Sequence, residues 1–262
     1  MKKSLSIGLL VLLCPAYAMA QSAFDGTWKI DTNKVQMSKK PDVLVLQNGM
    51  FECKTCAPPI KVKADGTDQK VTGHPYYDTM VVQVVDEHTV KETEKKGGKV
   101  VASSTTTVAA DGKTAHFEFT DSSNTSGDPV TGKGDMKQVA QGPAGAHAIS
   151  GSWVTSDISG LSDNGLLFTY KEDGGKLGMT TPTGQSYEAK TDGTEAPYKG
   201  DPGITTVKVK QVGKNSLVET DLRNGKVIAV VKSTVSADGK SIEMVYDDKL
   251  QGRTTSYTAL KQ

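Results

Sequence analysis

The chain has no excess of charge: 31 Lys and Arg stand against 30 Asp and Glu, for a formal net charge of +1. With acids and bases interspersed it lacks the basic face a nucleic-acid binder needs, so no nucleic-acid partner is expected. Long apolar runs are also missing. The run from Leu5 to Leu13 falls short of the roughly 20 residues a spanning helix requires, and no membrane span is expected. The four histidines, at 74, 88, 116 and 147, have no ligand-like spacing, which argues against a metal centre. Ser and Thr are abundant but stand in no nucleophile elbow, and no general base accompanies them. Gly127 to Gly134 (GDPVTGKG) imitates a phosphate loop, yet no Ser or Thr follows Lys133 and no helical pattern comes after it. These absences point to a protein that is no enzyme and carries no cofactor.

Lys2 and Lys3 precede the short apolar run, and Ala18-Met19-Ala20 offers a small-x-small cleavage site before Gln21. Residues 1–20 therefore read as a signal peptide, and the mature chain is expected in the periplasm or outside the cell. Its remaining length suits two domains of about 120 residues, each able to bury a core.

The strongest positive signal is an internal repeat. Lys63 to Lys113 aligns with Lys190 to Lys240 without a gap, at an offset of about 127 residues, with about 20 of about 50 positions identical. Shared stretches include Asp65-Gly66-Thr67 with Asp192-Gly193-Thr194, and Ala110-Asp111-Gly112-Lys113 with Ala237-Asp238-Gly239-Lys240. The expected organisation is a first β-barrel over 21–140, a short flexible linker over 141–148 and a second β-barrel over 149–262. Two-residue alternation is widespread and little reads as helix. Strands are expected at Gly26–Asp31, Val43–Gln47, Phe51–Thr55, Ile60–Ala64, Thr79–Val85, Thr89–Glu94, Val100–Val108, Thr114–Thr120 and Gly132–Val139. Asp111-Gly112 and its repeat, with Lys96-Gly97-Gly98 and Arg223-Asn224-Gly225, read as hairpin turns. The fold class is all-β: two tandem antiparallel up-and-down barrels.

Positions apolar in both copies are expected to face inward. Met80 and Val82 match Val207 and Val209; Ala115, Phe117 and Phe119 match Ile242, Met244 and Tyr246. His116 and Glu118 fall outside. Glu92 and Glu219 recur at equivalent positions, two residues after Val90 and Leu217, which places them inward. A carboxylate inside a barrel is costly to desolvate and could orient a polar ligand head; a strand end open to solvent is the alternative. The candidate ligand-binding residues are Glu92, Glu219, Phe117, Phe119, Met244 and Tyr246. Cys53 and Cys56 form a Cys-x-x-Cys whose flanks read as strand and Pro-Pro, so a structural disulfide is favoured over a redox or metal role.

Each copy opens on the same kernel, Phe24-Asp25-Gly26-Thr27-Trp28 and Ile149-Ser150-Gly151-Ser152-Trp153. Gly-x-Trp at the head of an antiparallel barrel of this length resembles the calycins, which include lipocalins, fatty-acid-binding proteins and avidins. That resemblance implies that Trp28 and Trp153 close one barrel end and that a cavity takes a small apolar or amphipathic molecule. It also implies a basic residue packed on the Trp near the last strand, for which Arg253 is the candidate in the second copy. Both Trp are spent on barrel ends, so an avidin-type biotin site is not expected. The leading functional expectation is an exported binding or carrier protein; the alternative is a non-catalytic envelope interaction module with filled barrels.

Overall fold

The computed structural model describes residues 22–123 and 126–262; the expected signal peptide lies outside the described residues. Apart from two short 3-10 turns at Thr32–Lys34 and Asp163–Gly165, their regular structure is all strand. In chain order the strands are β1 (Gly26–Ile30), β2 (Asp42–Gln47), β3 (Met50–Cys53), β4 (Ile60–Lys63), β5 (Gln69–Lys70), β6 (Thr79–Val84), β7 (Thr89–Lys96), β8 (Lys99–Val108), β9 (Thr114–Asp121) and β10 (Val130–Gln141). They continue with β11 (Gly151–Ser159), β12 (Leu167–Asp173), β13 (Lys176–Thr180), β14 (Ser186–Lys190), β15 (Asp192–Lys199), β16 (Thr206–Gly213), β17 (Ser216–Arg223), β18 (Lys226–Val235), β19 (Ser241–Asp248) and β20 (Arg253–Lys261). No helix among the described residues is long and apolar enough to cross a membrane.

The all-β, up-and-down expectation holds. Alternation sets the faces: Met80, Val82, Val207, Val209, Ala115 and Ile242 are all buried, while His116 and Glu118 are exposed. At the hairpins Asn224 and Gly225 both take positive φ, as does Gly97 with Gly98. At 111–112 only the glycine does, and a backbone bond from Gly112 to the Ala109 carbonyl closes that turn.

One expectation is corrected. The barrels do not coincide with residues 21–140 and 149–262, because each takes its Trp strand from the other copy. β2 to β11 form one ten-stranded sheet, ordered β4-β3-β2-β11-β10-β9-β8-β7-β6-β5. β12 to β20 form the closed barrel, which β1 completes by pairing with β12 on one side and β20 on the other. The physical reason is chain connectivity. β11 follows β10 after a short connection, and sequential strands pair most readily as an antiparallel hairpin. β11 thereby fills the place beside the last strand of the first copy, and β1 is left for the last strand of the second.

Trp28 and Trp153 are both fully buried, each in the core of the barrel its strand has joined. Their indole Nε1 atoms donate to Phe24 O and Ile149 O, both at 2.8 Å, so neither core Trp strands a polar group. The glycine of the kernel is required by its backbone: Gly151 has φ of +148°, and a Cβ there would sit 2.7 Å from Ala140 O. Over Trp28 lies the Lys261 ammonium, 5.2 Å from the ring centroid. Arg253, the candidate for that role, instead makes a two-pronged ion pair with Asp42 across the junction of the two barrels. Register explains the difference, since Lys261 rather than Arg253 pairs directly with Trp28.

The connection over residues 142–150 is tied down rather than loose. His147 N donates to Leu46 O at 2.9 Å, its Nε2 lies 2.7 Å from Asp86 O, and Gln47 Nε2 reaches Ala144 O at 3.1 Å. The sheet of β2 to β11 is nearly but not fully closed. β4 and β5 do not pair; the gap is narrowed by Gly66 N on Val82 O and a bridge between Asp65 and Gln83. In the closed barrel the equivalent strands β14 and β15 pair through Ser186 with Lys199 and Tyr187 with Tyr198.

Residues 42–159 contain every strand of the nearly closed barrel, so this fragment is expected to melt cooperatively on its own. Residues 149–262 lack β1, leaving β12 and β20 with bare edges, and are expected to give no cooperative melt by circular dichroism. A sharp transition in the second fragment matching that of the full chain would contradict the exchanged topology. Gly151→Ala is expected to cost about 2–3 kcal/mol, through positive φ and the backbone clash together.

Candidate functional site

The site is built on β7 and its repeat β17. Alternation turns Glu92 and Glu94 to the interior of the nearly closed barrel, and Glu219 and Asp221 to the interior of the closed one. Each copy therefore carries two inward acids two residues apart.

In the closed barrel the acids are embedded among tyrosines. Tyr170, Tyr187, Tyr198 and Tyr257 pack in or against the core, with the Tyr187 and Tyr198 ring centroids 5.7 Å apart. The Tyr187 hydroxyl donates to Glu219 Oε2. Burial raises the Glu219 carboxyl, and hydrogen bonds from Tyr187 and Asp221 partly oppose it. Burial, then the neighbouring Glu219, pushes Asp221 up to about 8. Burial raises Tyr170 and Tyr187 well above the usual phenol range, so both remain neutral donors.

The nearly closed barrel replaces every one of those tyrosines with something smaller. The repeat offset sets Ile60 against Tyr187 and Val71 against Tyr198. Ladder register sets Leu44, opposite Cys53, against Tyr170, opposite Met179. It likewise sets Gly134, opposite Phe117, against Tyr257, opposite Met244. Two of these replacements, Leu44 and Ile60, line a cavity of about 260 Å³ together with Met80, Phe117, Glu92 and Glu94. A second cavity of about 200 Å³, reaching Phe119 and Asp121, shares Glu92, Glu94 and Ser104 with it. The Phe117 and Phe119 rings stack at 6.4 Å, and Gly134 and Gly132 allow them to lie close: a Cβ at either glycine would meet a ring carbon at 2.7 Å.

Glu92 is enclosed by protein yet lines a space that water inside the barrel can reach, which is why its surface is only partly covered. Burial pushes its carboxyl up to about 7. Glu94 also rises to about 7, through burial first and then the charges of Glu92 and Asp121. The Cys53–Cys56 disulfide is formed, as expected, and both sulfur-bearing residues belong to the cavity wall. It sits beside the unpaired β4 edge, next to Tyr77, whose ring stacks on His74 at 4.8 Å. Among the described residues no cluster of His, Cys, Asp and Glu could hold a metal ion.

Of the residues singled out from sequence, Glu92, Phe117 and Phe119 come together around the two cavities. Glu219 and Met244 pack instead in the filled core of the closed barrel. Tyr246, although on the inward register, is 37 % exposed near the end of β19. Glu94 and Asp221 were missed. Their signal was present, since both positions two residues after the paired glutamates are acidic. Compared with protein-family models and with curated proteins, the chain matches none. The architecture of two ten-stranded barrel-like sheets is consistent with the calycin-like fold.

The raised acids set the sign of the pH dependence. Between the ordinary carboxylate range and about 7 to 8, the folded chain keeps protons on Glu92, Glu94 and Asp221 that the unfolded chain has released. Stability therefore falls as pH rises through that window. His74, held below its usual range by burial, pulls weakly the other way. The melting temperature is expected to fall from about pH 5 to about pH 8, and Glu92→Gln to flatten the slope and recover about 1–2 kcal/mol at the upper end. A melting temperature that climbs across the window would contradict enclosed, proton-retaining acids.

Proposed function

We propose that the protein is a non-catalytic small-molecule binding or carrier protein, and that the nearly closed barrel is its ligand-binding half. One observation carries this reading: the four interior tyrosines that fill the closed barrel stand opposite Leu44, Ile60, Val71 and Gly134 in the other. Two copies of one fold thus serve as each other's control. The larger cavity, about 260 Å³, lies just below the range of about 300–1,000 Å³ typical of ligand sites, and the second adjoins it at Glu92, Glu94 and Ser104. Their walls combine apolar side chains with a few converging polar groups, which suits an amphipathic ligand better than a wholly apolar one. The unpaired seam between β4 and β5 offers a way in, because the strands there are not held by ladder bonds.

The closed barrel serves as scaffold in this reading, and in that half the filled-barrel alternative survives. A lipocalin-like or fatty-acid-binding-protein-like relationship fits the Gly-x-Trp kernel and the Lys261–Trp28 contact. Export to the periplasm or beyond fits the disulfide, which persists in oxidising compartments.

The test is to give the nearly closed barrel the side chain of its twin. The neutral fluorescent probe N-phenyl-1-naphthylamine is expected to bind once per chain, counted by native mass spectrometry. Ile60→Tyr is expected to weaken it by about tenfold or more, by occupying the volume Tyr187 fills in the closed barrel. Undiminished binding by a folded Ile60→Tyr chain would place the ligand elsewhere. No binding by the wild-type chain would favour the envelope interaction module.

A further inference from the structure

We infer that the ligand of the nearly closed barrel is a cation: a protonated amine on an apolar body, its ammonium seated between Glu92 and Glu94. This rests on the reading that the cavity is a ligand site, and adds to it the chemistry of the head group.

The lining of the two cavities is charged with one sign only. It contains Glu92 and Glu94 at the centre, with Asp42 and Asp121 towards the ends, and no Lys, Arg or His. The outer two acids already have partners: Asp42 pairs with Arg253, and Asp121 Oδ1 accepts from Ser123 N at 2.7 Å. Glu92 and Glu94 are both half-buried on the cavity wall, and among the described residues neither has a hydrogen-bond or ion-pair partner. The contrast with the other copy is direct. Glu219 receives the Tyr187 hydroxyl, but the residue standing where Tyr187 would be is Ile60, which has nothing to donate.

An ionised carboxylate can only accept, so whatever satisfies Glu92 must donate. A charged N–H donor forms the strongest such bond and also relieves the repulsion between two neighbouring acids. An anionic head would meet like charge on every side, and a neutral one would leave the charge without a counter-ion. Beyond the acids, Leu44, Phe51, Ile60, Met80 and Phe117 supply an apolar wall for the rest of the molecule.

Protons compete with such a cation. The titratable groups that face the pair are few: Tyr77 from the segment before β6 and Asp121 from the end of β9. From β6 and β8 it meets Met80, Ala102, Ser104 and Thr106, none of which titrates. Acidification therefore protonates the glutamates themselves and weakens the seat for the ammonium, whereas binding of a neutral ligand lacks this dependence.

The experiment compares three probes with one apolar body, octylamine, 1-octanol and octanoate, by isothermal titration calorimetry on the full chain. At about pH 8 octylamine is expected to bind about tenfold or more tighter than 1-octanol, with octanoate weakest. At about pH 5.5 that preference is expected to shrink towards unity, because the glutamates are then protonated while the amine stays charged. Glu92→Gln and, separately, Glu94→Gln are each expected to reduce the octylamine-to-octanol ratio at the higher pH. Equal binding of octylamine and 1-octanol, or a preference for octanoate, would overturn the cationic ligand and leave the cavity reading standing. If none of the three binds a folded chain, both fail.

Discussion

Burial of two indole rings, each brought by a strand from the other half of the repeat, is the constraint on which both barrels depend. Each Trp stands on the strand that lies beside the last strand of its barrel, and each satisfies its own ring nitrogen four residues back in the chain. Were either strand to leave, its barrel would lose its largest buried side chain and gain two open ladder edges together. Such coupled losses make the topology cooperative, since partial detachment saves little entropy and forfeits both packing and hydrogen bonds. The Arg253–Asp42 pair then ties the first strand of the nearly closed barrel to the last strand of the closed one.

On that shared frame the copies have diverged inside. The closed barrel spends its interior volume on tyrosines, one of which, Tyr187, also donates to the buried Glu219. The other retains the acids and gives up the tyrosines, which is costly unless something else contacts them. A half-buried carboxylate without a partner is a costly feature for a small barrel to carry. Its persistence beside a loosely sealed seam is hard to reconcile with a purely structural role. The disulfide occurs in one copy alone, in the turn that leads from β3 into β4, the strand whose ladder bonds to β5 are missing.

Much of this was legible from residues alone. Alternation found the strands, and repeat-matched apolar positions found the inward faces, because a position kept apolar in both copies of an alternating strand is one that faces the core. Glu92 stood out as an acid on that inward register, repeated at Glu219. The strand exchange was not legible: Gly-x-Trp is so alike in the two copies that no local pattern says which barrel a kernel enters. That choice lies in the length of the connection between β10 and β11. Lys261 was passed over for Arg253 because the contact with Trp28 depends on ladder register, which sequence spacing does not display. The cavity was invisible for a related reason. Ile60 and Val71 match Tyr187 and Tyr198 at the plain repeat offset, but aligning Leu44 with Tyr170 follows cross-strand neighbours rather than residue number.

The exchanged first strand also imposes an order in time. A chain made from its amino end releases β1 first, yet β1 has no complete groove until β20 has been added. The barrel of β2 to β11 can be finished while the rest is still being made; the other must wait for β20. A product that stops short of β20 therefore keeps Trp28 and a bare strand edge on display, the kind of surface that proteases and chaperones recognise. Only a chain carried through to β20 can hide β1, so closure of this barrel depends on the strand farthest from β1 along its sheet's sequence order.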